Sequence, residues 1–134
     1  MSILLLAGVL CAPPAAAQQS DPYFDFLLAR RLEAEGENAE ARAALERAAA
    51  ADPKSAEIRA ELAGFHMRQN DIGAAERLAR EALAPDAGNI EAHRVLGLIA
   101  AAYAESAEEN KAEARTPEYV KEAIAHLEKV AATP

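Results

Sequence analysis

Apolar and small residues recur along this chain at helical spacing, and no stretch alternates with a period of two, so the pattern predicts helices and no strand. Within those helices a leucine followed by a small residue returns every 34 positions, as Leu28-Ala29, Leu62-Ala63 and Leu96-Gly97. The second halves of the first two units keep the same step, Ala41 returning as Ala75 and Ala48 as Ala82. An alanine or glycine at a helix crossing lets two backbones approach, and the leucine beside it fills the remaining gap. A period of this length encodes a stacked array of helical pairs.

Start and stop signals divide the array. Asp21-Pro22 opens a helix predicted over Pro22 to Glu35, because aspartate caps free amides and proline at the first helical position gives up no hydrogen bond. Gly36 ends it, and a second helix is expected from Ala39 to Ala51, closed by Asp52-Pro53. The next pair is predicted over Ser55 to Gln69 and Ile72 to Leu83, with Asn70-Asp71 as the tight turn and Pro85 to Gly88 as the break. A third first-helix begins at Ile90. Its partner is displaced: position 109, where alanine is expected, holds Glu109, and the pattern resumes only at Ala123, Leu127 and Val130, about fourteen residues late. The intervening residues 104–116 are rich in Ala, Glu and Lys. They are expected either to project as a solvated helical extension or to form a charged loop with little to bury. Thr116 is then expected to cap a last helix over Glu118 to Ala131. Its Val120, Ile124, Leu127 and Val130 should bury a stripe against the preceding helix and leave an edge for a further unit.

These residues resemble the tetratricopeptide repeat family. Residues 22–55 match it with Leu28, Ala29, Leu32, Ala41, Leu45, Ala48 and Asp52-Pro53, and residues 56–89 with Leu62, Ala63, His66, Ala75, Ala79 and Ala82, the proline being displaced to Pro85. Residues 90–134 begin well with Ile90, Leu96, Gly97 and Ile99 before the insertion. The resemblance implies an all-α fold, a right-handed superhelical solenoid of antiparallel helix pairs with about six helices. It also implies a non-catalytic scaffold or adaptor that binds a peptide or helix of another protein in a concave groove lined by the first helices. The residues placed there are Tyr23, Phe26, Arg30 and Glu33, then Ala60, Gly64, Met67 and Arg68, then Arg94, Leu98 and Ala101. Tyr23 and Phe26 serve either as rigid anchors for a ligand or as a cap on the first hydrophobic layer. Arg30, Arg68 and Arg94 either hold a ligand carboxylate or pair with Glu33, Glu57 or Glu91. Some family members grip a chain-terminal carboxylate with a lysine-asparagine set, which Arg30 and Gly64 do not reproduce.

Composition narrows the chemistry. Hydrophobic residues make up 51% of the chain and aromatics 4%, and much of the apolar fraction is alanine, which favours helix but buries little surface. The core should be thin. The net charge of -8, with 22 acidic against 14 basic residues, argues against nucleic acid or an anionic membrane as the main partner. His66 falls in the second unit and His93 and His126 in the third, none with a second histidine or cysteine three or four positions away, and the glycines after Gly8 sit at or near turns and helix crossings. No metal, cofactor or catalytic residue is therefore expected.

The chain opens differently. Ile3 to Leu10 is a short apolar run, broken by Ala12-Pro13-Pro14 and followed by Ala15-Ala16-Ala17, an A-x-A cleavage pattern before Gln18. Residues 1–17 therefore read as a cleaved signal peptide, residues 18–21 as a polar lead, and the compartment as periplasmic if the source is bacterial. The run is too short to span a membrane, which takes roughly 20 residues. No Lys or Arg precedes it, so either translation starts a few codons upstream or the stretch is not a signal. Lipid anchoring at Cys11 would need a small residue before it, and Leu10 stands there. At the other end no polar capping helix follows residue 131. That predicts either an amino-terminal part of a longer array, with or without another domain, or a structural segment whose edge is covered by self-association or a partner.

Overall fold

The computed structural model describes residues 21–109 and 115–133. The proposed signal segment with Cys11, the first part of the polar lead, and residues 110–114 lie outside the described residues. Six helices follow one another: α1 (Pro22–Ala34), α2 (Asn38–Ala51), α3 (Ala56–Arg68), α4 (Ile72–Leu83), α5 (Ile90–Glu109) and α6 (Thr116–Ala131). There is no strand among the described residues. The helices pair as α1 with α2, α3 with α4 and α5 with α6, and the pairs join through α2 on α3, α4 on α5 and α3 on α5. This is the all-α helical repeat expected from the periodicity.

Polar residues carry the same period as the leucines. Asp21 Oδ1 accepts the Tyr23 amide at 2.9 Å, Ser55 Oγ the Ile58 amide at 3.2 Å, and Asn89 Oδ1 the Ala92 amide at 2.9 Å. These three caps, at successive intervals of 34, satisfy amides that the first turn of each odd-numbered helix leaves free. Ser55 is thus a cap and not the first residue of α3. The other boundaries move by a residue: α1 stops at Ala34, α2 starts at Asn38 and α3 ends at Arg68.

The turns inside the first two pairs are also copies. Gly36 has φ 83° and Asn70 φ 62°. The Glu37 amide donates to Leu32 O at 2.9 Å and the Gly36 amide to Glu33 O at 3.0 Å; one period later the Asp71 amide donates to His66 O at 2.9 Å and the Asn70 amide to Met67 O at 3.0 Å. This closure needs one residue in the left-handed region, which glycine enters freely and asparagine tolerates. The third position in the series is Ala104, for which that conformation costs roughly 1–2 kcal/mol. Accordingly α5 does not turn there but runs on to Glu109, reaching 20 residues against 13 in α1 and α3.

That run-on is the helical alternative expected for residues 104–116 over its described part, but its solvation is corrected. As far as Glu109 it is helix, and it is not simply solvated: Ala104 and Ala107 are buried, and the Tyr103 ring lies 5.5 Å from that of Tyr119 on α6. The last helix is corrected in two respects. Arg115, not Thr116, occupies the cap position and makes no side-chain capping bond, while the Thr116 hydroxyl is buried with no hydrogen-bond partner among the described residues. The face turned to α5 carries Tyr119, Ala123, His126 and Leu127, so Val120 (40% exposed) and Ile124 (52%) point away instead of forming a buried stripe.

A single apolar core runs from Phe26 to Ile99, through the first two pairs and α5. Alanine dominates it: Ala41, Ala44, Ala48, Ala63, Ala75 and Ala82 have no exposed surface, with Leu45, Phe65 and Val95 as the large buried side chains. Asp25 is buried beside them and accepts from Arg47 Nη2 at 2.8 Å and Nε at 3.2 Å, tying α1 to α2.

At Gly97 a methyl group would lie 2.8 Å from both Cγ and Cδ2 of Leu127, whereas at Gly73 nothing stands within 4 Å. Gly97→Ala is expected to destabilise the chain by about 1–3 kcal/mol through overpacking of the α5–α6 crossing. Gly73→Ala should be neutral or stabilise by up to about 0.5 kcal/mol, since alanine is the better helix former. Thermal melts followed by circular dichroism distinguish the two.

Candidate functional site: a charged groove across the odd-numbered helices

The period that stacks the pairs also brings α1, α3 and α5 to one face. Arg68, at the end of α3, reaches back to α1 and grips both oxygens of Glu33, Nε to Oε1 at 2.6 Å and Nη2 to Oε2 at 2.9 Å. Its Nη2 also lies 3.5 Å from Glu61 Oε1, and Glu61 Oε2 in turn lies 3.7 Å from Arg30 Nη1. On α5, Arg94 donates to Glu91 from Nε at 2.7 Å and Nη2 at 2.5 Å. Gly64 is the floor beneath this set: a methyl group there would meet Glu91 Oε1 at 2.6 Å and Arg68 Nη1 at 3.1 Å. Only a residue without a side chain lets the Glu91 carboxylate lean from α5 over α3.

Of the three arginines expected in the groove, Arg68 and Arg94 are hydrogen-bonded to Glu33 and Glu91, and Arg30 lies in a looser ion pair with Glu61. Glu61 is a partner that the sequence does not single out, and Glu57 is not one. Hydrogen bonding to Glu91 raises the Arg94 pKa against the opposing effect of burial, so its charge is fixed. Tyr23 is 62% exposed at the amino end, its ring 6.3 Å from that of Phe26 and nearly parallel to it. Phe26 is 6% exposed and belongs to the core while also lining the groove. Met67 packs against the core, and Leu98 is exposed. The structure thus brings Phe26, Arg30 and Arg68 together through Glu61 and its cavities, with Arg94 beside them through Glu91; Tyr23 joins only by its stack on Phe26.

Two cavities adjoin along this face and share Arg30 and Glu61. One, of about 340 Å³, has Phe26, Ala60 and Ile90 on its walls with Glu57 and Glu91 at its rim; the other, of about 300 Å³, is bounded by Glu33, Ala34 and Arg68. Glu57 and Ile90 sit in the first turns of α3 and α5, where their role as cavity walls follows from helix phase and could not be read from residue type.

Elsewhere a contact appears that spacing hid. His93 and His126, 33 residues apart, meet with Nδ1 atoms 2.8 Å from each other, and His93 Nε2 lies 3.0 Å from Ala87 O. A carbonyl only accepts, so in the neutral pair His93 carries its proton on Nε2 and accepts at Nδ1 the hydrogen of His126 Nδ1. Burial, and next the neighbouring His93, push the His126 pKa below its ordinary value. Among the described residues no group of three or more potential ligands is placed to hold a metal. No helix of the described residues is long and apolar enough to cross a membrane.

Three antiparallel helical pairs in register, joined by repeated caps and turns around an alanine core, define a helical repeat protein with a charged face across its odd-numbered helices. A family model for the tetratricopeptide repeat matches residues 32–99, just over half of the sequence, and the chain belongs to that family. Among solved structures it is similar to MamA, at 20% identity and a TM-score of 0.63 over 86% of this chain and 63% of that one. It is similar also to TTC0263, a thermophilic TPR protein of Thermus thermophilus, at 21% identity and a TM-score of 0.68 over 81% of this chain and 55% of that one. At these identities the likeness is one of fold, and the chain spans less than two thirds of the length of each. No curated protein matches it.

The His93–His126 pair makes stability depend on pH. Because the folded-state pKa of His126 is depressed, the unfolded chain takes up a proton that the folded chain resists. Stability is then full above the unfolded value, about 6.5, and falls as pH is lowered through and below it. Melting temperature should drop as pH is lowered from about 7 through the ordinary histidine value. His126→Asn, whose amide can still donate to His93, should flatten that dependence.

Proposed function

We propose that the chain is a non-catalytic docking module that holds a segment of another protein in the groove across α1, α3 and α5. Its fold supports a protein-interaction scaffold, since repeat arrays expose an extended face that serves binding. The observation that carries the finer reading is the pair of adjoining cavities along this one face, both lined chiefly by charged side chains and one of them also by Phe26, Ala60 and Ile90. An extended or helical ligand gains from such a groove by burying apolar side chains while its polar groups replace water at the rim. Tyr23, exposed and stacked on Phe26, is placed to extend the contact at the amino end. Export is part of the proposal and rests on the apolar run and the Ala15-Ala16-Ala17 pattern; intact-mass measurement of the secreted protein should then find Gln18 as its first residue.

A second reading, assembly through the ends of the array, is favoured by a separate observation. Phe24 and Leu27 on α1, and Val120 and Ile124 on α6, stand exposed on the two outermost helices. Under that reading Ile124→Glu lowers the mass seen by light scattering at high concentration. Because Ile124 is already half in solvent, the substitution leaves folding intact.

The docking reading is tested by selecting peptides from a random displayed library against residues 18–134 and locating each on the protein by amide shift perturbation. Shifts at Ala60, Gly64 and Arg94, with binding reduced about tenfold or more by Tyr23→Ala, are the expected result. Shifts confined to α2, α4 or the outer faces of α1 and α6 would overturn it.

A further inference from the structure

The groove is not uniform along its length, and its asymmetry points to one kind of partner. The cavity bounded by Glu33 and Arg68 has its charges matched, since Arg68 grips both oxygens of Glu33. The larger cavity does not. Phe26, Ala60 and Ile90 line it together with Glu57, Glu61, Glu91 and Arg30; Glu91 is held by Arg94, which leaves Glu57 and Glu61 facing the guanidinium of Arg30. That guanidinium is mostly exposed and only 3.7 Å from Glu61, too long for a hydrogen bond. Glu61, with a side chain only 16% exposed, is hydrogen-bonded to Arg68 only at the long distance of 3.5 Å, and the exposed Glu57 makes no ion pair among the described residues.

Resting on the docking reading above, we propose that this end of the groove receives a lysine or arginine side chain flanked by an apolar residue of a partner protein. The aliphatic stem would lie on Phe26 and Ile90, and the charged tip would come between Glu57 and Glu61, displacing the loosely held Arg30. Lysine and arginine are the side chains that combine an apolar stem with a cationic end. Glu61, mostly buried and with its two guanidiniums only at 3.5 and 3.7 Å, gains more from a closer cation than an exposed carboxylate would, because water screens it less. An acidic segment would bring like charges together at the same place. The chain's net charge of -8 draws basic partners toward it at long range.

The test uses a displayed library of random twelve-residue peptides with basic and acidic residues equally represented. Peptides that shift the Ala60 and Ile90 amides should carry Lys or Arg beside an apolar residue. Replacing that Lys by norleucine should weaken binding about tenfold, and replacing it by Glu should weaken it about a hundredfold. On the protein, Glu57→Lys should weaken binding about tenfold, whereas Glu40→Lys, the matching first-turn reversal on α2, should leave it unchanged. Both side chains are exposed, and circular dichroism of the two variants verifies the fold. If groove-bound peptides prove acidic or uncharged, or tolerate Lys→norleucine without loss, the basic-partner inference is overturned while groove docking stands. Peptides that map elsewhere, or no enrichment at all, overturn both.

Discussion

The close approach of helix backbones at alanine and glycine is what the rest of this structure depends on. Ala41, Ala44, Ala48, Ala63, Ala75 and Ala82 have no exposed surface, and Gly97 lies so near Leu127 that no methyl group fits between them. Dispersion falls steeply with separation, so helices that meet through small residues gain contact along their whole length even though each methyl buries little area. The gain is spread over many weak contacts between neighbouring pairs, with no single large side chain anchoring the fold. A core of this kind is more sensitive to added volume than one built of leucine, because it has no long side chains able to move aside.

Tight spacing also determines what the open face can do. With α3 packed on α5 and α1 on the other side of the same face, long side chains 35 positions apart, Glu33 and Arg68, reach hydrogen-bond distance. Partly exposed pairs of this sort contribute little to stability, commonly under about 1 kcal/mol. Their effect is on recognition: they fix which carboxylates are matched and which are left for a ligand. Glycine at position 64 belongs to the same logic, since any larger residue would push the Glu91 carboxylate off the groove floor.

Much of the fold was legible because its signals are local. α4 is found at Ile72 to Leu83, as the turn residues implied, and the first three helices lie within a residue or two of their predicted ends. The recurrence of leucine-small pairs carried the pairing order. What escaped was whatever depends on phase between helices. The insertion before α6 resets its register, so the face holding Tyr119 and Ala123 could not be distinguished from the one holding Val120 and Ile124, both being apolar at helical spacing. The meeting of His93 with His126 was hidden by the same offset. Within the groove, the family resemblance placed Phe26, Arg30, Arg68 and Arg94 on one face, yet Phe26 is at the boundary of core and groove, a distinction the repeat pattern does not draw. The choice of Glu61 over Glu57 as an arginine partner turns on side-chain reach across a gap that only the packed helices define.

Ala104 stands where Gly36 and Asn70 stood in the earlier pairs, and the missing left-handed residue lengthens α5 by seven residues relative to α3, about 10 Å of extra rise. An ideal array maps onto itself when advanced by one unit, so its two long margins are interchangeable along their course. Here the margin that bears the Gly36 and Asn70 turns ends in an overhang and the opposite margin does not. The molecule therefore has a built-in left and right as well as a first and last pair, and anything lying across it meets a step on one side only.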